Sequence, residues 1–422
     1  MTITITNILA REVLDSRGNP TVEAEVHTSS GASGRAIVPS GASTGKAEAC
    51  ELRDTTAARY DGKGVLAAIA HIRDKIGPAL TGCDTTDQLA VDRKLLELDD
   101  TPQKTMLGGN ALLAVSLATA HAGAAARGVP LYRHLNDVFL QLDPRAPQPR
   151  MPQAMINMIS GGLHAGGNLD FQDFLIMPVG APSVALALEW TVRIYRRLGE
   201  LLTQEGYEGR LVGDEGGYGP RLKNNAQAAE FVVRAIEAAG LRPWEDVTIA
   251  LDVASTHFFD GSRYRLAATG GDQLTSDELI DYLTSLVERF PITSIEDGLA
   301  EDDWAGWQQL TTRLGATIRL VGDDLFTTNV ARIERGIQLG AANSVLIKVN
   351  QIGTLTETLQ AITLARQAGY SYIVSARSGE TEDTTIADLA VATTADLIKI
   401  GSIVRSERLA KYNQLLRIAE QL

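Results

Sequence analysis

SVLIK at residues 344–348 is one of six strand-like runs in this chain that end on a charged residue. The others are VTIALD (247–252), TSIE (293–296), TIRLVGD (317–323), SYIVSAR (371–377) and DLIK (396–399). Helical patterns separate these runs, which recur at about one βα unit of roughly 30 residues. In a (β/α)₈ barrel all strand ends open onto the face that carries the active site. The sequence therefore predicts an α/β fold with a barrel whose charged residues meet at one opening.

The charged strand ends form two chemical groups. The carboxylates are Asp252, Glu296 and Asp323, and the cations are Lys348, Arg377 and Lys399. Three carboxylates without a thiolate or an imidazole suit a hard cation such as Mg²⁺, and the cations suit an anionic substrate. Each carboxylate alone is explained equally well by a structural salt bridge. Their occurrence at three corresponding strand ends favours the metal site.

Composition and charge limit the classes of function. A net charge of −13, with no basic stripe, argues against nucleic acid as a partner. No apolar run reaches the roughly 18 residues of a membrane span, so no membrane partner is expected, and the N-terminal segment lacks the features of a signal peptide. Only Cys50 and Cys83 are present, which indicates a reducing, cytoplasmic location.

The chain divides at a proline-rich segment. Residues 143–152, DPRAPQPRMP, contain four prolines and are typical of a linker. Before it, residues 1–28 alternate as strands around a DSRGNP turn, residues 31–45 form a loop, and three helical patterns follow at 64–76, 85–98 and 110–127. We therefore predict a smaller N-terminal α+β capping domain at 1–142 and a (β/α)₈ catalytic barrel at 143–422.

Three glycine-rich motifs leave alternatives open. VPSGASTGKAEA (38–49) is one residue short of a P-loop and has Ala47 where a hydroxyl is needed; it is either a structural loop or a lid. His164 lies between glycine pairs, which favours a functional role. VGDEGGYGP (212–220) is either a calcium-like turn or a simple one.

SARSGETEDT (375–384) predicts a helix that begins near residue 381. One interpretation is an N-cap at Ser378 followed by acidic residues that complement the helix dipole. The other is a phosphate held by Arg377 and by Ser378 at the helix start. The two are compatible.

Taken together, the motifs resemble those of enolase, phosphopyruvate hydratase. The resemblance runs in order through LDSRGNPTVE, VPSGASTG, VGDEGG, SIED, VGDDL, KVNQIGT, RSGETEDT and RSERLAKYNQLLRI, and so covers essentially the whole chain. It implies a modified ββαα(βα)₆ barrel after a small α+β domain, and a cytoplasmic homodimer. It also implies dehydration of 2-phosphoglycerate, a small anionic phosphocarboxylate, to phosphoenolpyruvate through an enolate, with two Mg²⁺ ions.

The resemblance also assigns roles to individual residues. It places the first metal site on Asp252, Glu296 and Asp323, and the serine that helps to hold the second Mg²⁺ and lies against the substrate on Ser43. It makes Lys348 the base for the C2 proton, and Glu215, with His164 nearby, the acid side that helps hydroxide to leave C3. The phosphate contacts fall on Arg377 and Ser378, and the carboxylate contact falls on Lys399. A neutral Lys in a cation-rich site is able to accept such a proton.

Several positions depart from the family pattern. They are Ala376 for a histidine, Asp173 for a catalytic-side glutamate, Gly167 for an asparagine, Gly298 for a proline, Leu397 for a glutamine and Ile400 for a threonine. Three hypotheses remain: an enolase with an altered pocket, a paralogue that applies the same metal–enolate chemistry to a different phospho- or phosphonocarboxylate, and an inactive binding protein. The retained Lys348 and metal carboxylates count against the third hypothesis.

Overall fold

The N-terminal part of the protein is built on a three-stranded antiparallel sheet. A computed structural model of the protein describes residues 2–42, 45–55 and 58–422. The sheet has the order β1 (Ile5–Leu14), β2 (Pro20–Thr28) and β3 (Ser33–Ile37). The predicted turn is present, and the Asp15 carboxylate accepts the backbone N–H groups of Arg17 and Asn19. The predicted loop at 31–45 was wrong in part, because β3 lies within it.

Helices cover one face of this sheet. They are α1 (Leu66–His71), α2 (Gly77–Leu80), α3 (Gln88–Leu98), α4 (Gly109–Arg127) and α5 (Leu131–Leu142), and a π-helical segment, Ile72–Ile76, joins α1 to α2. The buried helix α4 packs directly on β2 and β3. Gly34 permits this approach, because a Cβ there would lie 2.0 Å from the backbone nitrogen of Ala122.

A helix that crosses a membrane needs about 20 mostly apolar residues. In the described part of the chain, no single helix is long and apolar enough to do so. The helices α4 and α5 meet the criteria of length and composition only as a pair bent by 109°.

The second part is a closed eight-stranded barrel, as predicted. Its strands are β4 (Gln153–Ser160), β5 (Asp173–Met177), β6 (Thr248–Asp252), β9 (Ile292–Glu296), β10 (Arg319–Gly322), β11 (Ser344–Ile347), β12 (Ser371–Ser375) and β13 (Leu397–Gly401). A small hairpin, β7 (Tyr264–Leu266) and β8 (Asp272–Leu274), lies outside it. The barrel order is β10-β11-β12-β13-β4-β5-β6-β9.

One strand runs against the other seven. β5 is antiparallel to both β4 and β6, and the remaining neighbours are parallel. Asp173, the first residue of β5, is therefore paired with Asp252, the last residue of β6. This reversal gives the ββαα(βα)₆ arrangement that the family resemblance implied, and it places Asp173 at the same end as the strand-end charges.

Helices surround the barrel. They are α6 (Val184–Gln204), α7 (Asn225–Ala238), α8 (Ser276–Arg289), α9 (Trp304–Leu314), α10 (Val330–Leu339), α11 (Val349–Ile352), α12 (Leu355–Gln367), α13 (Thr385–Thr393) and α14 (Ser406–Ala419). Two predicted boundaries were wrong. The run 344–350 is a strand only to Ile347, with α11 directly after Lys348, and the helix predicted at 381–392 begins at Thr385.

The barrel interior below the opening is apolar. Its core residues are Met155, Leu175, Met177, Ala250, Val321, Leu346, Ile373 and Leu397. This layer closes the barrel from within, so the polar side chains near the strand ends form the floor of a cleft. Leu397, one of the departures from the family pattern, belongs to this layer and is fully buried.

Candidate active site

The structure brings the predicted strand-end charges together at one end of the barrel. Asp252 and Glu296 are the last residues of β6 and β9, Asp323 and Lys348 directly follow β10 and β11, and Lys399 lies within β13. All are buried. A cleft at this end is lined by Ala42, His164, Gln172, Glu215, Asp252, Lys348, Ser375, Ala376, Arg377, Ser378, Lys399 and Ile400.

Two lysines pair with the three predicted metal carboxylates. The Nζ atom of Lys399 lies 2.7 Å from Oδ2 of Asp252 and 2.7 Å from Oε2 of Glu296, and Lys348 forms an ion pair with Asp323. Burial opposes the charge on Lys399, but the two carboxylates outweigh it and raise its pKa well above the usual value. The predicted contact of Lys399 with a substrate carboxylate thus competes with two ion pairs in this structure.

The three strand-end carboxylates can bind a further cation in addition to the two lysines. Burial, and then the charge of Asp252, raise the pKa of Glu296 well above its usual value. Its Oε1 atom is buried, and no residue that the structure describes gives it a hydrogen bond. Such an atom carries a desolvation penalty that a bound cation would remove. The oxygen donors of Asp252, Glu296 and Asp323 therefore fit a hard divalent cation.

Two glutamines orient these carboxylates. The Nε2 of Gln351 donates to Oδ1 of Asp323 over 3.0 Å, and the Nε2 of Gln172 donates to Oδ2 of Asp252 over 3.2 Å. Both glutamines are buried. Partners of this kind fix the direction in which a ligand oxygen points. Gln351 stands in the KVNQIGT motif, but strand-end spacing alone identified neither glutamine.

A second set of carboxylates lies close by. Oxygens of Asp297, Asp323 and Asp324 lie within 4.8 Å of one another. Asp297, however, already accepts the backbone N–H groups of Asp323 and Asp324, over 3.0 and 2.8 Å. Asp297 thus holds the end of β10 in place, and its lone pairs are largely committed to that role.

The surroundings of Lys348 favour its charged form. Burial opposes the charge, but Asp323 outweighs it and raises the pKa of Lys348 above its usual value. The neutral lysine base that the family resemblance implies stays a prediction. Lys348 can accept a proton only in its neutral form. That form requires its ion pair with Asp323 to open and the nearby positive charges to lower the pKa of Lys348.

A buried acid–base cluster lies at the same cleft as Lys348. The Nδ1 of His164 lies 2.9 Å from Oδ2 of Asp173, and its Nε2 lies 4.0 Å from Oε1 of Glu215. Asn157 donates its amide to the other oxygen of Asp173. The structure thus groups the three predicted residues, and it adds Asn157, which no sequence motif had indicated.

The carboxylates control the protonation of His164. Burial opposes the charged imidazole, but Asp173 and Glu215 outweigh it and raise the pKa of His164 to about 9. We expect the Asp173→Asn variant to lower this pKa, because it removes the nearest negative charge. NMR titration of the His164 ring measures the shift, with His27 on the N-terminal sheet as internal control. An unchanged pKa would show that Asp173 does not hold the proton on His164.

The predicted phosphate contacts lie on the same cleft but not at a helix start. Arg377 donates to both oxygens of Glu48, over 3.1 and 3.3 Å, and to Asn350 over 2.7 Å. The hydroxyl of Ser378 accepts the backbone N–H of Ala42 over 2.8 Å. The helix start at Ser378, which both interpretations assumed, was wrong, because α13 begins seven residues after Ser378. The phosphate contact of Arg377 and Ser378 stays a prediction.

Tertiary contacts explain the error at the start of α13. The carboxylate of Glu380 accepts the backbone N–H of Arg377 and pairs with Lys411. Asp383 accepts the backbone N–H of Thr385 over 2.8 Å and that of Ile37 over 3.0 Å. Glu380 and Asp383 therefore each bind one distant segment of the chain, at Lys411 and Ile37, and lie before the helix.

The N-terminal domain contributes a loop to the cleft. The backbones of Ser40 and Gly379 exchange two hydrogen bonds of 2.8 Å, which attach the loop to the barrel. Arg17 lies beside this attachment and donates to the carbonyl groups of Ser40 and Gly41. Ser43, the predicted ligand of a second cation, lies outside the described residues. Arg17 was missed, although it stands in the DSRGNP motif.

The other departures from the family pattern divide by position. Ala376 and Ile400 line the cleft, and a bulge in β13 between Lys399 and Gly401 places Ile400 there. Gly298 lies instead among apolar side chains, because a Cβ there would meet Leu310, Ile295 and Leu283 at 3.1–3.3 Å. Gly167 has a φ of 73° and open space around it, a conformation that suits glycine or asparagine.

Two family models match the chain. Residues 5–135 match the model described as "Enolase, N-terminal domain", and residues 148–422 match "Enolase, C-terminal TIM barrel domain". The domain boundary predicted between residues 142 and 143 falls between these matches and stays a prediction.

Proposed function

The chain belongs to the enolase family, and from this premise we propose that it dehydrates 2-phosphoglycerate to phosphoenolpyruvate with two Mg²⁺ ions. The observation that carries the proposal is a single buried cleft with Lys348 beside three metal-type carboxylates and with the His164–Glu215 pair among its other lining residues. Such an arrangement separates a base from an acid on the two sides of one small substrate.

The metal ligands in this proposal are Asp252, Glu296 and Asp323, with Ser43 as a contact for the second ion. When bound, Mg²⁺ would stabilise the negative charge that develops on the substrate carboxylate as C2 loses its proton. The remaining chemistry is supplied by protein side chains.

Lys348 would take the proton from C2. The C2–H bond breaks, the proton moves to the Nζ atom, and the electron pair is delocalised into the substrate carboxylate. Burial favours the neutral amine that this step requires, since the charged form receives little stabilisation from water. The ion pair between Lys348 and Asp323 has to open first, so the interactions of Asp323 determine when Lys348 can act as the base.

The acid side would complete the elimination. The C3–O bond breaks, and the departing hydroxide takes a proton from the Glu215–His164 pair to form water. The raised pKa of His164, about 9, keeps a proton available at neutral pH. Arg377 and Ser378 would hold the phosphate, and Lys399 the carboxylate, so the reacting carbon atoms would lie between Lys348 and Glu215.

A second candidate function is the same metal–enolate chemistry on a different phospho- or phosphonocarboxylate. Two observations favour it. Ala376 lines the cleft, so the volume of a larger side chain is free there. Asp173 is fully buried and held by His164 and Asn157, so its shorter side chain is part of a fixed network.

Comparison of the two half-steps distinguishes these candidates. Bound 2-phosphoglycerate is expected to exchange its C2 hydrogen with solvent faster than it forms phosphoenolpyruvate, because Lys348 is retained while Ala376 and Asp173 alter the elimination side. NMR in D₂O measures exchange, and absorbance measures product. The Ala376→His and Asp173→Glu variants should raise dehydration more than exchange, and together by more than the sum of their separate free-energy effects.

The outcomes of this comparison are distinct. Dehydration by the unmodified protein at ordinary enzyme rates, about 1–10³ s⁻¹, would contradict the altered-substrate candidate. Exchange with little product would support an impaired elimination step. The absence of both exchange and product would favour another phospho- or phosphonocarboxylate as the substrate.

We also propose a cytoplasmic homodimer. The family resemblance places an intersubunit ion pair on Glu23 and Arg417, and a two-fold interface would form it twice. Within one chain, Glu23 pairs with Arg11 and lies 3.5 Å from Arg35, while Arg417 is exposed. Light scattering at micromolar concentration should give the mass of two chains, and the Arg417→Glu variant should weaken the dimer. A monomeric mass for the unmodified protein would contradict the proposal.

A further inference from the structure

A second cavity lies at the end of the barrel opposite the cleft. Arg319 and Ser371 are the first residues of β10 and β12, and Asp396 directly precedes β13, so the cavity adjoins the entry ends of parallel strands. Its volume is about 380 Å³. It is lined by Pro147, Arg150, Arg319, Arg366, Gly369, Tyr370, Ser371, Tyr372, Thr394 and Asp396.

Three arginines from separate segments meet at this cavity. Arg150 comes from the connection before β4, Arg319 from the start of β10, and Arg366 from the end of α12. Like charges repel one another, and the protein as a whole carries a net charge of −13. A cluster of three guanidinium groups is therefore not a consequence of average composition.

Carboxylates compensate only two of the three charges. Arg150 lies 3.1 Å from Asp396, and Arg366 lies 3.3 Å from Asp143. Arg319 is half-buried, and within residues 2–42, 45–55 and 58–422 its guanidinium has no ion pair or hydrogen bond. One partly desolvated positive charge thus faces the cavity without a counter-charge.

The other walls suit a small organic anion. Pro147 and the rings of Tyr370 and Tyr372 give apolar surface, since both tyrosine hydroxyls already donate to backbone carbonyl groups. The hydroxyl of Ser371 donates to the carboxylate of Asp396 over 2.8 Å. This hydrogen bond keeps the carboxylate beside Arg150. Gly369 has a φ of 76°, and a Cβ at this position would meet no atom within 4 Å, so the space beside this lining residue is open.

We propose that this cavity binds phosphate-bearing small molecules, with Arg319 as the principal contact and Arg150 and Arg366 as supporting charges. Guanidinium groups bind phosphate oxygens through paired, charge-assisted hydrogen bonds. The site lies outside the cleft of the proposed dehydration, and it does not depend on that reaction.

Equilibrium dialysis of the full chain with radiolabelled inorganic phosphate tests the proposal. The Arg377→Gln variant removes the predicted phosphate contact of the cleft and should leave binding at the second cavity intact. The Arg319→Gln variant should weaken that remaining binding by about tenfold or more, the effect of one lost charge-assisted contact. Arg150→Gln should weaken it in the same direction, and it provides a second test if Arg319→Gln does not fold.

Arg197→Gln serves as the matched control. Arg197 is an exposed arginine on α6 that pairs with Glu200, so this variant makes the same change in charge away from both sites. Its phosphate affinity should equal that of the unmodified protein. Both variants are compared in the Arg377→Gln protein, where the cleft contact is absent. Equal affinities for Arg319→Gln and Arg197→Gln there would overturn the proposal, and so would complete loss of phosphate binding in Arg377→Gln alone.

Discussion

The Lys348→Gln variant is expected to lower the rate of dehydration of 2-phosphoglycerate by about 10²–10⁴-fold, the usual contribution of a general base. Glutamine retains a polar chain in the buried cleft but cannot accept the C2 proton. Exchange of the C2 hydrogen should fall with dehydration, because both begin with the same proton transfer. Steady-state absorbance and NMR in D₂O measure the two rates.

The control for this variant is Lys75→Gln, which removes an exposed lysine from the π-helical segment of the N-terminal domain. It should behave like the unmodified protein in both assays. Thermal melting of Lys348→Gln checks its fold, because the substitution leaves the buried carboxylate of Asp323 without its ion pair. Undiminished C2 exchange in a folded Lys348→Gln protein would remove Lys348 from the proposed mechanism.

The Asp323→Asn variant is expected to weaken Mg²⁺ binding by roughly tenfold or more, because the affinity of an oxygen site rises with the number of its anionic ligands. Asparagine keeps the shape of the side chain and still accepts the hydrogen bond that Gln351 donates. Titration calorimetry with MgCl₂ gives the affinity directly and does not require turnover.

A surface aspartate provides the comparison. Asp281, whose side chain is 72% exposed, can be changed to asparagine with the same loss of charge but without loss of a cleft carboxylate. Asp281→Asn should bind Mg²⁺ like the unmodified protein. If Asp323→Asn and Asp281→Asn bind Mg²⁺ equally well, the metal site does not include Asp323.

The strand-end residues were predictable because the geometry of a parallel barrel leaves little freedom. Parallel strands end on one face, so the regular spacing of Asp252, Glu296 and Lys348 sufficed to place them together. The reversed strand β5 was not apparent from spacing, and only the family resemblance indicated it. That reversal is what brings Asp173 to the cleft.

The ion pairs within the cleft were not predictable from local patterns. Arg377 pairs with Glu48, a residue of the other domain, and Lys399 bridges two carboxylates. These contacts depend on how distant segments pack, because a buried charge is costly unless an opposite charge lies beside it. The same effect made the start of α13 difficult to place, since Glu380 and Asp383 bind partners outside the helix.

The structure was also needed to locate the residues that depart from the family pattern. Of these residues, Gly298 packs under apolar side chains and Leu397 fills the barrel interior. Ala376, Ile400 and Asp173 do lie at the cleft or in its acid–base cluster. Changes of substrate or rate are therefore expected to depend on these three residues.

Conversion of 2-phosphoglycerate with and without Mg²⁺, with C2 exchange followed in the same sample, tests the central claim most directly. The proposed function predicts Mg²⁺-dependent formation of phosphoenolpyruvate, preceded by Mg²⁺-dependent exchange of the C2 hydrogen. A folded protein that gives neither exchange nor product at saturating Mg²⁺ would contradict it.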